Sequence, residues 1–240
     1  MKSLSILIGC YGDFPEYSSR AVRSVVDNCV NRSSFDIHVG LNQCCEKTIT
    51  ATRELLDSAQ IDSLCESREN INKDPMMRLL IERTQTPYML WMDDDSHVLE
   101  GWDVPILKFI EERHPFECAG HVYWSGRSPD YLEFLRKRSW WKGDEQYLES
   151  CHKDRVWFAT GGFFIANVAF LREVNFPDRA MIKKQDDLLL GDCISQNRGR
   201  LLDFGHDRSI MNKIRISDGH RRGAGEGADG WRLVHPRSGM

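Results

Sequence analysis

The sequence predicts an α/β protein in which helices flank a mixed, mostly parallel sheet within a single domain. Its 240 residues fit one hydrophobic core, since single cores stop growing at roughly 250–300 residues. Hydrophobic residues make up 41% of the chain and charged residues 28%, a balance typical of a folded soluble domain. Apolar runs of strand length alternate with segments whose apolar residues recur at helical spacing. This alternation favours parallel strands joined by helices.

The first half of the chain contains three predicted strands and three predicted helices. The strands are residues 4–9, 36–41 and 87–92, and the helices are residues 20–30, 48–60 and 74–83. Asp74 and Pro75 supply an N-cap and a first-turn proline for the third helix. The run from 87 to 92 is apolar throughout and is followed by acids, which is typical of a central, buried strand.

The second half predicts a helix, a strand, a polar insertion and a return to regular structure. Its predicted elements are a helix at 104–113, strands at 116–124, 156–164 and 201–204, and helices at 167–174 and 186–197. The insertion, residues 125–155, is basic and aromatic. From Ser217 onward the sequence has almost no apolar residues, so we expect a domain over 1–216 and a flexible tail over 217–240.

Composition and charge narrow the classes of function. The first apolar run is too short for a signal peptide or a membrane span, so we expect a cytoplasmic protein without a membrane partner. The eight cysteines include no CxxC pair, which favours reduced, structural thiols. A net charge of −4 disfavours binding of polyanions by the whole surface, although residues 136–142 and 198–222 are locally basic.

Three successive aspartates, Asp93, Asp94 and Asp95, follow the predicted central strand. Ligands of open α/β sheets bind at the carboxyl ends of strands, so chemistry is expected at this position. Carboxylates held close together raise each other's pKa unless a cation neutralises them. Mg²⁺ or Mn²⁺ suits such a site, because these ions take oxygen ligands and use one or two carboxylates together with substrate phosphates. The alternative is a solvated acidic loop or a cluster at a helix N-terminus.

Four blocks of sequence, in this order and at this spacing, resemble those of the GT-A glycosyltransferases, including the family-2-like enzymes. The blocks are Gly9-Cys10-Tyr11-Gly12, Tyr88 to Asp95, Thr160-Gly161-Gly162-Phe163-Phe164-Ile165, and Lys184-Gln185-Asp186-Asp187-Leu188. The second block is similar to the strand and DxD motif of the family, and the last to its acidic motif. The resemblance extends over residues 3–205 and implies the GT-A type of Rossmann-like fold.

The resemblance implies transfer of a hexosyl group from a nucleotide-diphosphate sugar, with UDP as the expected nucleotide, to a hydroxyl acceptor with inversion. Residues 1–95 would form the half that binds the nucleotide sugar, and residues 96–216 the acceptor half. Asp95 would bind Mn²⁺ or Mg²⁺, and Asp93 would contact the ribose or the water shell of the metal. The expected donor-binding residues are Gly9, Cys10, Tyr11, Asn42, Arg78, Asp93, Asp94, Gly161, Gly162 and Arg221. Lys73 is an alternative to Arg78 as a phosphate ligand, and both are equally interpreted as solvated helix residues.

The acidic motif supplies the general base of inverting members of the family. Asp186 is the first choice here and Asp187 the second, because Gln185 stands where the family commonly has Glu. Either aspartate is alternatively a helix N-cap. A third metal ligand, often histidine, follows the motif in the family. His220, beside Arg221, is preferred over His206, and the alternative for His220 is a solvated side chain.

The sequence does not determine the identity of the acceptor, because acceptor contacts in this fold come from variable loops. Trp140, Trp141 and the basic residues around them suggest nucleic acid, and one version is a hydroxymethylated base in DNA, as in viral DNA modification. The alternative is that both tryptophans pack against the core. Two competing functions remain, a sugar-phosphate nucleotidyltransferase and a non-catalytic nucleic-acid-binding module. A nucleotidyltransferase usually has a glycine-rich, basic phosphate loop after the first strand, and this chain has an acidic, bulky segment there. A nucleic-acid-binding module leaves the aspartates without a role.

Overall fold

A computed structural model describes residues 2–126, 128–143, 155–178, 186–204 and 215–217 of the chain. For residues 215–217 only the backbone is described. The described residues form nine strands. These are β1 (Leu4–Tyr11), β2 (Phe35–Asn42), β3 (Ser63–Ser67), β4 (Tyr88–Asp93), β5 (Ser96–Val98), β6 (Cys118–Gly126), β7 (Arg155–Asn167), β8 (Leu201–Asp203) and β9 (Arg215–Ser217). β5 and β9 pair with each other outside the main sheet.

The main sheet has seven strands in the order β3-β2-β1-β4-β7-β6-β8. Strands β1 to β4 run parallel, β7 is antiparallel to both β4 and β6, and β8 is parallel to β6. The carboxyl ends of β1, β2, β4, β6 and β8 therefore lie at one edge of the sheet. The predicted mixed, mostly parallel α/β fold is confirmed.

Seven α-helices lie among the described residues. They are α1 (Pro15–Asp27), α2 (Glu46–Asp57), α3 (Lys73–Arg83), α4 (Asp103–Arg113), α5 (Pro129–Leu135), α6 (Val168–Glu173) and α7 (Asp186–Gln196). One apolar cluster joins one face of the sheet to α1, α2 and α4, and a second joins the other face to α3, α5, α6 and α7. Both faces of the sheet are therefore covered, which explains why β4 is apolar throughout.

Four elements were not predicted from the sequence. β3 is short and polar and is ordered by pairing with β2. β5 and β9 are three-residue strands that pair antiparallel, and they include Ser217, which the sequence analysis gave to the tail. α5 lies inside the predicted insertion, where Ser128 caps it and Pro129 opens it. The serine–proline pair was the signal that could have identified this helix.

Helix boundaries differ from prediction by a few residues. α1 begins at Pro15 instead of residue 20, and the N-cap of α3 is Asn72, whereas Asp74 lies in its first turn. Lys73 is thereby the first residue of α3. Within the described part of the chain, no helix is both long enough and apolar enough to cross a membrane.

Candidate functional site

A pocket of about 340 Å³ opens at the carboxyl ends of β1, β2 and β4. Eight residues that the sequence indicates for the donor or metal site, with Lys73 as an alternative ligand, line it: Gly9, Cys10, Tyr11, Asn42, Lys73, Asp93, Asp94 and Asp95. The parallel register explains their convergence, since Gly9 pairs with Asp93 and Tyr11 pairs with Asn42. A wider surface groove lies elsewhere, beside Lys108 on α4, and none of the predicted site residues lines it.

The three aspartates differ in environment although they are adjacent in sequence. The Asp93 side chain is 30% exposed, Asp94 is buried, and Asp95 is partly buried. β4 ends at Asp93, so the chain leaves the sheet where the acids begin. Each carboxylate therefore faces a different set of neighbours, and only Asp93 and Asp95 remain partly accessible.

Asp94 is held inside the protein by hydrogen bonds from another part of the chain. Its Oδ2 accepts from the backbone N–H of Tyr11 at 3.1 Å and from the Ser18 hydroxyl at 2.6 Å. These bonds attach the loop between β1 and α1 to the end of β4. Asp94 lines the pocket, and its hydrogen bonds hold Tyr11 and Ser18 in place.

Asp93 contacts Trp91, for which the sequence indicated no separate role, and Lys73, which the sequence offered as an alternative phosphate ligand. Its Oδ1 accepts from the indole N–H of Trp91 at 2.7 Å, and its carboxylate lies 3.1 Å from the Lys73 ammonium. The same ammonium donates to the carbonyl oxygen of Gly161 at 2.7 Å. Lys73 therefore joins α3, β4 and β7 at the pocket. A side chain at Gly9 would collide with the Trp91 ring, since a Cβ there would lie 2.7 Å from it.

Three amide side chains line the side of the pocket nearest β2. Asn42 is buried, and its Oδ1 accepts from the backbone N–H of Ile71 at 2.9 Å. Its amide N–H donates to Asn70 Oδ1 at 3.2 Å, and Asn70 in turn donates to the Tyr11 hydroxyl at 3.4 Å. Asn72 is the third amide. The network fixes the segment before α3 against the end of β2, beside the exposed ring of Tyr11.

The structure does not bring Arg78 to this pocket. Its guanidinium donates to Asn175 Oδ1 at 2.8 Å and to the carbonyl oxygen of Pro177 at 2.9 Å, and it pairs with Glu82. These contacts attach α3 to the segment after α6. Of the two candidate phosphate ligands on this helix, Lys73 therefore lines the pocket and Arg78, five residues later, does not.

The remaining predicted residues lie on β7, on α7 and outside the described residues. Gly161 and Gly162 lie just beyond the β4–β7 pairing, which ends at Met92 and Phe163. Asp186 begins α7, with only its backbone described, and Asp187 accepts at Oδ1 from the Leu188 N–H at 2.9 Å. Three predicted residues fall outside the described residues: His206, His220 and Arg221.

The donor atoms at the pocket suit a divalent cation of the Mg²⁺ or Mn²⁺ type. Asp93 and Asp95 offer partly accessible carboxylates, and Asp95 Oδ1 also accepts from the Ser96 hydroxyl at 3.3 Å. No cluster of three or more His, Cys, Asp or Glu side chains suited to a metal occurs in the described part of the chain. These ions are commonly bound by one or two carboxylates together with substrate phosphates. The residues present therefore fit the expected metal.

Cys44, which lies near Asp94, is poorly suited to metal binding. The pKa of the Cys44 thiol is raised to about 12, chiefly by burial and also by the charge of Asp94. A thiol binds metals as the thiolate, so Cys44 stays protonated at neutral pH. Cys44 is therefore a poorer candidate ligand than the partly accessible carboxylates of Asp93 and Asp95.

Part of the basic, aromatic insertion is core. Arg138 is buried and pairs with Asp178 at 3.2 Å, and Trp140 is 4% exposed. Trp141 packs against the same apolar cluster. These side chains match the alternative interpretation, in which the tryptophans pack against the core.

Comparison with solved structures identifies the fold. S. aureus TarS superposes with a TM-score of 0.58 at 11% identity, over 91% of this chain and 41% of that one. The mannosyltransferase PcManGT from Pyrobaculum calidifontis, solved with GDP-Man and Mn²⁺, gives 0.54 at 11% identity, over 85% of this chain and 55% of that one. GalNAc-T7, solved with UDP, GalNAc and Mn²⁺, gives 0.59 at 13% identity, over 84% of this chain and 42% of that one.

The chain spans between two fifths and about half the length of these three neighbours. In sequence, no family model and no curated protein matches it. At such low identity a superposition shows shared architecture, and the sheet order and pocket described above agree with it. The chain has the fold of the GT-A glycosyltransferases.

Proposed function

We propose that this chain is a divalent-metal-dependent glycosyltransferase that moves a hexosyl group from a UDP-sugar to a hydroxyl acceptor with inversion. The observation that carries the proposal is the convergence of Tyr11, Asn42, Asp93 and Asp95 in one pocket at the carboxyl ends of β1, β2 and β4. Further support comes from the neighbours, since TarS was solved with UDP and with UDP-GlcNAc, and PcManGT with GDP-Man and Mn²⁺.

In this proposal the pocket divides into a nucleotide side and a sugar side. The exposed Tyr11 ring and the Asn42 and Asn70 amides offer a stacking surface and hydrogen bonds to a base and ribose. Asp93 and Asp95 would hold Mn²⁺ or Mg²⁺ beside the diphosphate. When bound, the ion stabilises the negative charge that develops on the departing diphosphate. Gly161 and Gly162 allow the backbone of β7 to approach the sugar closely.

The reaction requires a base on the acceptor side of the sugar. The acceptor oxygen bonds to the anomeric carbon, the bond from that carbon to the diphosphate oxygen breaks, and the nucleoside diphosphate leaves. The acceptor proton passes to a carboxylate at the start of α7, Asp186 or Asp187. Attack from the face opposite the leaving group inverts the anomeric configuration.

The chemical class of the acceptor is a hydroxyl compound. DNA carrying a hydroxymethylated base was one expectation, and the burial of Arg138 and Trp140 removes two of the residues that favoured it. The basic segment 198–222 extends largely outside the described residues. Transfer of labelled sugar to hydroxymethylated and unmodified duplex DNA tests this acceptor directly.

The experiment that tests the donor is thermal unfolding with UDP-GlcNAc, UDP-glucose, UDP-galactose and GDP-mannose, each with Mn²⁺ and with EDTA. A ligand at 100 times its dissociation constant stabilises a protein by about 2.7 kcal/mol. We expect one nucleotide sugar to raise the melting temperature only when metal is present. Asp95→Ala should lose this shift, and the exposed control Glu112→Ala on α4 should keep it. Equal shifts in EDTA and Mn²⁺, or no shift with any donor, would overturn the proposal.

Additional ligands and a product assay separate the two competing functions. A nucleotidyltransferase should be stabilised by UTP with a sugar 1-phosphate and should release pyrophosphate from them. A nucleic-acid-binding module should retain its affinity for DNA in EDTA. A metal-dependent shift with a nucleotide sugar, accompanied by release of UDP, matches only the glycosyltransferase.

A further inference from the structure

The pairing of β6 with β7 is interrupted beside the predicted sugar-binding segment. Gly120 pairs with Phe164, and the next pair joins Val122 to Ala159. One residue of β6, His121, therefore lies opposite four residues of β7, 160–163. Such bulges redirect side chains and occur often beside active sites. The bulged segment contains Gly161 and Gly162, so His121 is the residue of β6 nearest to them in the sheet.

An acidic residue of the edge strand lies beside His121. Its Nδ1 lies 3.7 Å from Asp203 Oδ1 at the end of β8. The same carboxylate oxygen accepts from the backbone N–H of Val122 at 3.4 Å, and Asp203 pairs with Gly120 across the two strands. The separation is longer than a direct hydrogen bond, and the two groups attract each other when the imidazole is protonated. Asp203 is thus placed to orient the imidazole by its charge.

An aromatic ring supports the histidine from its other side. The rings of His121 and Tyr123 meet edge to face with centroids 4.7 Å apart, and Tyr123 packs in turn toward Phe158. The His121 side chain remains 18% exposed. It is therefore a supported, partly accessible polar group, which is suited to binding a ligand and not only to filling space.

The bulged segment is tied to the metal side of the pocket. The carbonyl oxygen of Gly161 accepts from Lys73, and Lys73 contacts Asp93. Within the described residues, the Thr160 hydroxyl is buried and lacks a hydrogen-bond partner. Strands β4, β6 and β8 all end at the edge of the sheet that carries Asp93. His121 and Asp203 are thus placed across β7 from the proposed diphosphate site.

We propose that His121 is a sugar-binding residue for the transferred group, with Asp203 as its positioning residue. This inference rests on the proposed function, because it assigns the sugar part of the same donor site. A neutral imidazole offers one N–H donor and one nitrogen acceptor, which match the hydroxyl groups of a pyranose. The bulge at residues 160–163 places the glycine backbone next to His121 in the sheet, on the strand beside the one that ends at Asp93.

The test compares the affinities of a nucleoside diphosphate and of its sugar conjugate. Calorimetry in Mn²⁺ would measure UDP and GDP, and UDP-GlcNAc, UDP-glucose, UDP-galactose and GDP-mannose, for wild type and variants. We expect His121→Ala to weaken the tightest nucleotide sugar about tenfold while the parent diphosphate changes less than about twofold, the size of one or two lost hydrogen bonds. His114→Ala, at the opposite edge of the sheet, is the control and should change neither affinity.

Further variants separate a contact with the sugar from a general loss of structure. His121→Asn is the second variant if His121→Ala unfolds, and its melting temperature is checked first. Asp203→Asn should weaken the nucleotide sugar three- to fivefold, and the double variant should be no weaker than His121→Ala alone, since both changes affect one interaction.

Three outcomes would overturn the inference. Equal weakening of the diphosphate and of the sugar conjugate would make His121 structural. Unchanged affinity for both would mean that it does not contact the sugar. Wild-type protein that binds none of the four nucleotide sugars would overturn the proposed function as well, whereas the first two outcomes leave that function intact.

Discussion

The Lys73 ammonium lies 3.1 Å from the Asp93 carboxylate and 2.7 Å from the carbonyl oxygen of Gly161. One side chain at the start of α3 thus connects the last residue of β4 with the glycine segment of β7. Both partners of the ion pair are about one third exposed, which limits its contribution to stability. Its importance is expected in ligand binding, since it fixes Asp93 and adds a positive charge at the proposed diphosphate site.

Replacing Lys73 with Met is expected to weaken UDP binding about tenfold, because a charge-assisted contact is worth roughly 1.5–3 kcal/mol and part of it is screened here. Calorimetry with UDP and Mn²⁺ measures the change. Lys108→Met is the matched control, because Lys108 is 70% exposed on α4. Equal affinities in Lys73→Met and wild type would contradict the assignment.

Asp94→Ala is expected to lower the free energy of unfolding by about 2–3 kcal/mol, because Tyr11 N–H and the Ser18 hydroxyl lose a buried, charged acceptor. For a chain of this size the melting temperature should fall by roughly 5–10 °C. Urea unfolding and calorimetry measure both quantities. Asp95→Ala is the comparison, with an expected change within about 0.5 kcal/mol. Similar losses in the two variants would argue against the structural role of Asp94.

Asp186→Asn is expected to retain donor affinity within about twofold and to lose transfer by a factor of roughly 10²–10⁴, the contribution of a general base. Single-turnover transfer with saturating donor measures the chemical step. Asp187→Asn is the comparison, and a larger loss in that variant would move the base to the second aspartate. Full transfer activity in both would refute a base at the start of α7.

The buried His38 predicts a pH dependence of stability. Burial lowers its pKa from 6.5, which outweighs the opposing effect of the nearby Asp36 and Asp62. Folded His38 therefore stays neutral at pH values where the unfolded residue takes up a proton. Its contribution to stability is complete above about pH 6.5 and declines as the pH falls toward the lowered pKa.

His38→Asn removes this titration, and asparagine can retain the hydrogen bond to Ser63. We expect the stability difference between wild type and variant to shrink as the pH falls from 8 to 5. Urea unfolding at pH 8, 6.5 and 5 measures it. A difference that is constant across this range would show that His38 has the same pKa in the folded and unfolded states.

The sequence predicted the main elements because their signals are local. The apolar run before Asp93 indicated a buried strand, and the valines after Arg20 indicated a helix because they recur at helical spacing. The short elements were not predictable in this way. β3 has the polar sequence SLCES and exists because β2 offers it hydrogen bonds.

The sequence by itself determined the α/β alternation and the position of the aspartates at the end of a strand, since hydrophobic periodicity and acid clusters are properties of neighbouring residues. Only the tertiary structure decided which polar groups meet. In sequence, 88 residues separate Lys73 from Gly161 and 76 separate Ser18 from Asp94. His121 and Asp203 are likewise far apart along the chain. The strand order β1-β4-β7-β6-β8 brings these pairs together. Strand order arises from burying both faces of the whole sheet, a property that no single segment carries.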